Sequence, residues 1–277
     1  MRHWQYVQAY SIGTSHLLND LPCQDRALSK VILDSSGEEI FLGAVADGAG
    51  SAYRSEEGSE IATKLILQKL ENFFRQGKLL TDISRNVVEQ WINQISDQIC
   101  ELANDAGLKR REYACTLLVV AAKPMQGCFF QVGDGAIVIG LRGEYHPVFW
   151  PMTGEYANST YFITDISAVE QVQFEIINDR PIEDIALMSD GLQGLALQFT
   201  TKTAHSPFFR PMFARLAEES NPGLSETLSA SLQRFLESES VCNRTDDDKT
   251  LILSTCRDHF FNSTVLEEEG ADSNEVL

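Results

Sequence analysis

The sequence is poor in basic residues relative to acidic ones. Lysine and arginine number 22, aspartate and glutamate number 40, and the formal net charge is −18. A chain with this excess of negative charge repels nucleic acid and anionic membrane surfaces. The composition therefore argues against a polyanion-binding protein. It leaves a solvated acidic surface, or local aspartate clusters that bind cations, as explanations of the acidity.

Long apolar runs and targeting signals are also missing. The first residues, Met1 to Tyr6, lack the apolar core of a signal peptide. No stretch approaches the roughly 18 uninterrupted apolar residues of a membrane span. These absences predict a soluble cytoplasmic protein.

Paired cysteine motifs are absent as well. The six cysteines contain no C-x-x-C pair and are spread through apolar or mixed segments, at positions 23, 100, 115, 128, 242 and 256. This pattern argues against a zinc site or a disulfide framework. We expect reduced thiols, which fit a reducing cytoplasm.

The chain has no linker rich in proline, glycine or serine and no internal repeat. Its 277 residues are 43% hydrophobic, which is sufficient for one large core. We therefore expect one domain over residues 1–257. Residues 258–277 form an acidic end with little apolar material, and they are expected to stay disordered.

Short apolar runs bounded by turn residues predict β-strands. They lie at 39–46, 114–122, 128–132, 136–141, 184–188 and 250–254. Apolar residues at helical spacing predict helices within 61–73, 83–102 and 224–235. This order departs from strict β-α-β alternation, so it predicts an α+β domain built on antiparallel sheets.

Three of the apolar runs end in an Asp-Gly pair. The pairs begin at Asp47, Asp134 and Asp190, and the acidic stretch 246–248 directly precedes the last predicted strand. A single Asp-Gly pair is an ordinary turn. Three pairs placed alike could direct several carboxylates at one point, which suits Mg²⁺ or Mn²⁺. Two such ions would activate water for attack on a phosphoryl group.

The motifs that carry this pattern occur in a characteristic order. They are Cys23-Gln24-Asp25, Ala46–Ser51, Gly133–Gly135, Ser189–Gly191 and Asp247–Thr250. In this order the sequence resembles the type 2C metal-dependent protein phosphatases over about residues 10 to 255. It looks most like a bacterial subgroup with Gly13-Thr14-Ser15-His16 near the amino terminus and a glycine-led segment at 154–158. The resemblance implies two packed antiparallel sheets flanked by helices, with a two-metal centre at one end.

The same resemblance implies the ligands of two tightly bound Mn²⁺ or Mg²⁺ ions. Asp47 would bridge both ions, and the carbonyl of Gly48 would bind one of them. Asp190 and Asp247 would hold the other ion, and Asp25 would complete the cluster directly or through water. Asp134, together with Asp190, matches the position of a weaker third ion.

Two positions depart from the family pattern. Asp248 replaces the usual asparagine, and its extra charge could tighten metal binding or face solvent. Asp20 stands where the family has the arginine that grips substrate phosphate. His16 is the first candidate to replace that arginine, as a phosphate ligand or as the acid that protonates the leaving oxygen. Arg26 and Arg54 are the other candidates for substrate binding.

The leading hypothesis is a monomeric phosphatase that hydrolyses phosphoserine or phosphothreonine. Its partners would be phosphorylated proteins and a cognate kinase, without nucleic acid or membrane. The alternative is a catalytically weak, phosphatase-like adaptor. Retention of a carboxylate at every matched side-chain ligand position argues against it. A phosphodiesterase would commonly include histidine among its metal ligands, whereas the five histidines here lie outside the aspartate motifs.

Overall fold

The computed structural model describes residues 2–152 and 160–258. Its strands are β1 (Arg2–Ser11), β2 (Arg26–Leu33), β3 (Glu39–Ala46), β4 (Leu117–Lys123), β5 (Gln126–Val132), β6 (Ala136–Leu141), β7 (Glu144–Pro147), β8 (Gln173–Asn178), β9 (Asp184–Met188), β10 (Leu197–Gln198), β11 (Thr203–Ala204), β12 (Gly223–Leu224) and β13 (Lys249–Asp258). Its helices are α1 (Thr14–Leu18), α2 (Ser55–Arg75), α3 (Arg85–Asp105), α4 (Gln193–Ala196), α5 (Ser206–Ala217), α6 (Glu226–Leu236) and α7 (Glu239–Cys242).

The strands form two large sheets and one short ribbon. One sheet has the order β2-β3-β4-β5-β8, and all of its neighbours are antiparallel. The other has the order β12-β1-β13-β9-β6-β7, in which the short β1–β12 pair is parallel and the other pairs are antiparallel. Strands β10 and β11 form the ribbon. The predicted antiparallel sheets are thus confirmed.

Alternation along the strands creates the layers of the core, because successive side chains point to opposite faces of a sheet. In β3, Phe41 and Val45 pack between the two sheets with Trp4 and Ile252. The intervening residues, such as Leu42, instead pack against helices on the outer face. Burial on both faces explains why these strands read as continuous apolar runs rather than as alternating ones.

Helices cover both outer faces. The buried stripes of α2 and α3, such as Ile66 and Ile95, lie on the five-stranded sheet. Helices α5 and α6 cover the six-stranded sheet, with Phe213 and Leu232 packed over Leu253. The result is the four-layer α-β-β-α sandwich that the resemblance implied.

Two predicted segments lie outside the described residues. They are the acidic end from residue 259 onward and the glycine-led segment at 154–158. The proposed boundary at residue 257 therefore stays a prediction.

Among residues 2–152 and 160–258, no helix is long and apolar enough to cross a bilayer.

The ends of the strands bring the aspartate motifs to one edge of the sandwich. Strand β2 begins directly after Asp25, and Arg26 pairs with Ala46, the last residue of β3, just before Asp47. In the other sheet, Met188 at the end of β9 pairs with Leu251 near the start of β13. The turns of both sheets therefore meet at the same edge.

We predict that Gly58→Ala destabilises the protein. Gly58 lies in α2, where an added Cβ would sit 2.1 Å from the carbonyl oxygen of Tyr113. Overpacking of this kind costs about 1–3 kcal/mol, although alanine is otherwise the better helix former. Thermal unfolding should show a loss of about 2–4 °C per kcal/mol.

Gly194→Ala in α4 is the matched control, because an added Cβ there meets nothing within 4 Å. Its melting temperature should stay the same or rise. Equal shifts for the two variants would contradict the close packing of α2 on the Tyr113 turn.

Candidate metal centre

A pocket of about 370 Å³ opens at the edge where the strand ends meet. Five of the six predicted metal-binding residues line it together with His16, namely Asp47, Gly48, Asp134, Asp190 and Asp247. The sixth, Asp25, is fully buried beneath the wall. The fold thus gathers predicted metal-binding residues that are far apart in the sequence, from Asp25 to Asp247.

Asp25 is a buried carboxylate with one oxygen to spare. Its Oδ2 accepts hydrogen bonds from the hydroxyls of Ser189 at 2.6 Å and Thr250 at 2.7 Å. Its Oδ1 is buried and has no partner among the described residues. Burial raises the pKa of Asp25 to about 7, and the charges of Asp248 and Asp190 act in the same direction, against the two hydrogen bonds. A cation would satisfy the free oxygen and remove this penalty.

Asp47 and Asp190 come into direct contact, with their carboxylates at hydrogen-bonding distance. Burial, together with the charges of Asp25 and Asp190, raises the pKa of Asp47 well above its usual range. Oδ1 of Asp190 is buried and lacks a partner among the described residues. Two carboxylates this close on a half-buried wall repel each other, and a shared proton or a cation would relieve that repulsion.

The backbone on either side of Asp47 is fixed by its neighbours. The Asp47 N–H donates to the Thr116 hydroxyl at 3.0 Å, and the Thr116 N–H donates to the Asp47 carbonyl at 2.8 Å. At Gly48 an added Cβ would lie 2.7 Å from Cβ of Ser55 and 2.9 Å from the Gln24 carbonyl oxygen. Glycine is therefore required for the turn to pack against the segment that carries Asp25.

Asp247 and Asp134 stand on the other parts of the wall. Asp247 accepts a hydrogen bond from its neighbour's N–H at 2.8 Å, while partial burial and the charge of Asp190 raise its pKa. Burial, then the charge of Asp190, raises the pKa of Asp134 to about 6. Both carboxylates are thus electrostatically coupled to Asp190.

The residues fit divalent cations that keep part of their water shell. In the described part of the chain, no three acidic, histidine or cysteine side chains meet in a geometry that would hold an ion by themselves. Mg²⁺ is commonly bound through only one or two carboxylates and keeps several waters. The unpartnered oxygens of Asp25 and Asp190, and the contact between Asp190 and Asp47, are suited to such ions.

Asp248 lies behind the wall, where it neither faces solvent nor has an oxygen free. Its side chain is 2% exposed, and its two oxygens accept the N–H groups of Gly13 and Gln24, each at 2.6 Å. Oδ1 also lies 3.0 Å from Nδ1 of His16. The extra charge relative to asparagine is therefore directed at the backbone and at His16.

The two candidate arginines are occupied elsewhere. Arg26 donates to the carbonyl of Asp25 at 2.7 Å, and Arg54 donates to the Tyr113 hydroxyl at 2.9 Å. Neither side chain lines the pocket, and His16 is the one basic side chain among the described residues that do. The structure thus brings His16, but not Arg26 or Arg54, to the predicted site.

Comparison with known proteins identifies the family. Residues 12–237 match the family model for protein phosphatase 2C. The chain belongs to the protein phosphatase 2C family. It is 35% identical over 252 residues to serine/threonine-protein phosphatase 3 of Escherichia coli strain K12, a match that covers 91% of this chain and 98% of that protein. The predicted family and enzyme class, a protein phosphatase, are confirmed.

Solved structures agree on the fold of this phosphatase. PppA, described as a key regulatory component of T6SS in Pseudomonas aeruginosa, superposes with a TM-score of 0.60 at 17% identity, covering 93% of this chain and 100% of that one. The catalytic domain of the serine threonine protein phosphatase PstP, in complex with 2 manganese ions, gives 0.57 at 14% identity with the same coverage. At these identities the likeness concerns the fold alone.

The sequence did not reveal the groups that hold the predicted metal ligands in place. Ser189 and Thr250 bind Asp25, and Thr116 fixes the turn at Asp47. Ser189 and Thr250 stand inside the aspartate motifs, close to a predicted ligand, and that position was the signal available in the sequence. The sequence did not indicate that both hydroxyl groups would contact the distant Asp25 carboxylate.

We predict that Ser189→Ala weakens metal binding by about 10–100-fold, because partners of metal-binding carboxylates contribute on that scale. Calorimetric titration with Mn²⁺ measures the loss directly, and excess Mn²⁺ should restore much of the activity. Ser254→Ala is the matched control, since this buried serine in β13 donates to the Gln5 carbonyl at 3.3 Å instead. Identical Mn²⁺ affinities for the wild type and Ser189→Ala would mean that Ser189 does not support a ligand.

Proposed function

We propose that this phosphatase hydrolyses phosphoserine and phosphothreonine in proteins with water activated by two divalent cations. The observation that carries the proposal is the contact between Asp47 and Asp190 on the wall of an open pocket, above the buried and half-satisfied Asp25. This arrangement is unfavourable without a cation and is what a phosphatase metal centre requires. The E. coli relative, whose name is serine/threonine-protein phosphatase 3, supports the choice of substrate.

In the proposed centre, Asp47, the Gly48 carbonyl, Asp190 and Asp247 would hold two Mn²⁺ or Mg²⁺ ions. Asp25 would support them from beneath, directly or through water, and Asp134 together with Asp190 would hold a weaker third ion. When bound, such ions lower the pKa of a shared water and neutralise phosphoryl oxygens. The solved PstP complex with 2 manganese ions is consistent with this metal and this number.

The chain's own residues must orient the phosphate and complete the proton transfer. Water is the nucleophile, so no side chain has to form a covalent intermediate. His16 is suited to donate a hydrogen bond to the phosphate or a proton to the leaving serine or threonine oxygen. The other polar groups that line the described wall are acidic or neutral, so they cannot supply that positive charge.

The proposed setting is a cytoplasmic monomer that opposes a cognate kinase. Phosphorylated proteins follow as substrates from the family. The net charge of −18 is unfavourable for binding to nucleic acid or to anionic membranes. The adaptor alternative gains no support from the site, since all five aspartates proposed as ligands are present.

We predict that Asp47→Asn and Asp190→Asn each lower turnover by at least about 100-fold, because each removes charge from a metal-binding position. Hydrolysis of a phosphopeptide at saturating Mn²⁺ measures the effect. The melting temperature without metal should not fall, since each change relieves repulsion between the two carboxylates. Asp97→Asn, on the exposed side of α3, is the control with unchanged rates. Near wild-type turnover in both site variants would mean that the metal centre lies elsewhere.

We predict that His16→Ala lowers turnover by roughly 10²-fold or more if the imidazole protonates the leaving oxygen. The loss should then be smaller for an aryl phosphate, whose leaving group needs less help, than for an alkyl phosphopeptide. If His16 binds only phosphate, the Michaelis constant should rise for both substrates. Wild-type constants throughout would leave His16 with a structural role.

A further inference from the structure

Asp248 connects three segments of the chain around the pocket. It precedes β13, and its carboxylate accepts the N–H of Gly13, before α1, and the N–H of Gln24, before β2. Its own N–H donates to Oδ1 of Asp247 at 2.8 Å. A single buried residue thus joins a proposed metal ligand, through its backbone, to the segments that carry His16 and Asp25, through its side chain.

Helix α1 is held on this segment by further contacts. The N–H and the hydroxyl of Ser15 donate to the Asp246 carbonyl at 2.9 Å and 2.7 Å. At Gly13 an added Cβ would lie 2.4 Å from the same carbonyl oxygen. The ammonium group of the buried Lys249 donates to the carbonyls of Ile12 at 3.1 Å and Asp247 at 3.3 Å. The backbone of α1 therefore cannot move independently of residues 246–249.

The His16 side chain lies between Asp248 and the pocket. It is 11% exposed, and its Nδ1 is buried 3.0 Å from Oδ1 of Asp248. The two atoms are not in hydrogen-bond geometry, so the carboxylate acts on the ring through its charge, which at that distance favours a proton on Nδ1. Nε2 is then the ring nitrogen that remains for a ligand in the pocket.

We propose that Asp248 is a positioning residue that holds the segment carrying His16 and favours the Nδ1-protonated tautomer of its ring, so that the pair does the work of the absent phosphate-binding arginine. The inference rests on the proposed function and adds to it a residue that touches neither substrate nor metal. Asparagine could accept only one of the two backbone N–H groups through its oxygen, and its NH₂ group could not replace the charge that faces Nδ1. Aspartate accepts both backbone N–H groups and also places a negative charge 3.0 Å from Nδ1.

The first test is spectroscopic and requires neither metal nor substrate. Long-range ¹H–¹⁵N spectra of the metal-free protein distinguish histidine tautomers, and His16→Ala identifies the His16 signals among those of the five histidines. We expect a protonated Nδ1 on His16 in the wild type and a change of tautomer or exchange broadening in Asp248→Asn. Unchanged His16 signals in a folded Asp248→Asn would overturn the proposal.

The second test is a double-mutant cycle between Asp248→Asn and His16→Ala at saturating Mn²⁺. Asp248→Asn should lower kcat/KM for a phosphopeptide by about 10–100-fold in the wild type, the scale of supporting contacts in an active site. In the His16→Ala background the same change should have almost no effect. Equal losses in the two backgrounds would show that Asp248 acts independently of His16.

Asp184→Asn is the matched control for loss of a buried carboxylate. Asp184 begins β9, is 1% exposed, and accepts hydrogen bonds from Thr255 and Arg257, each at 2.7 Å. This variant should lower the melting temperature without changing kcat/KM or showing coupling to His16. If Asp248→Asn weakened Mn²⁺ binding in calorimetry and excess Mn²⁺ restored its rate, Asp248 would act through Asp247, and the proposal would be wrong.

The tests separate this inference from the proposed function. If the wild type failed to hydrolyse any phosphopeptide with Mn²⁺, the proposed function would fail, while the His16 spectra would still report on Asp248. If hydrolysis were normal and the spectra or the cycle showed no coupling, only the role of Asp248 would fail.

Discussion

The repulsion among clustered carboxylates, one of them fully buried, is the constraint on which the rest of this structure depends. Asp25 has no exposed surface, and Asp47 and Asp190 are in contact. Left alone, these groups would push their turns apart or take up protons, as the raised pKa values of Asp25 and Asp47 indicate. Hydrogen bonds from Ser189 and Thr250 hold the Asp25 carboxylate, and Thr116 holds the backbone at Asp47. A divalent cation would relieve this repulsion. The same repulsion therefore accounts for both the expected affinity for metal and the local instability of the metal-free site.

The sandwich supplies the stiffness that this arrangement needs. Each sheet is covered on both faces, and each ends in turns that carry part of the site, so no ligand turn can shift without disturbing the core. Two of those turns are packed so closely that only glycine fits, at Gly48 against Gln24 and at Gly13 against residues 246–248. The proposed metal ligands thus lie on short turns, but rigid strands fix where those turns begin and end.

Much of this could be predicted from local sequence. The strands at 39–46, 136–141 and 184–188 have the predicted bounds because burial on both faces makes them continuous apolar runs. Strands β1 and β2 were missed because polar side chains interrupt their apolar ones. Convergence of the aspartates was predictable from their places at strand ends. The hydrogen-bond partners of Asp248, and those that keep Arg26 and Arg54 away from the pocket, could not be predicted, since these depend on contacts between distant segments.

The most direct test of the metal centre is anomalous diffraction from crystals grown with Mn²⁺. Two strong manganese peaks are expected in the pocket, one beside Asp47 and Gly48 and one beside Asp47, Asp190 and Asp247, with Oδ1 of Asp25 directed toward them or toward a bound water. Full occupancy should need no substrate, because relief of carboxylate repulsion is sufficient to drive binding. A pocket without manganese at millimolar Mn²⁺, or peaks only at surface carboxylates, would contradict the central claim.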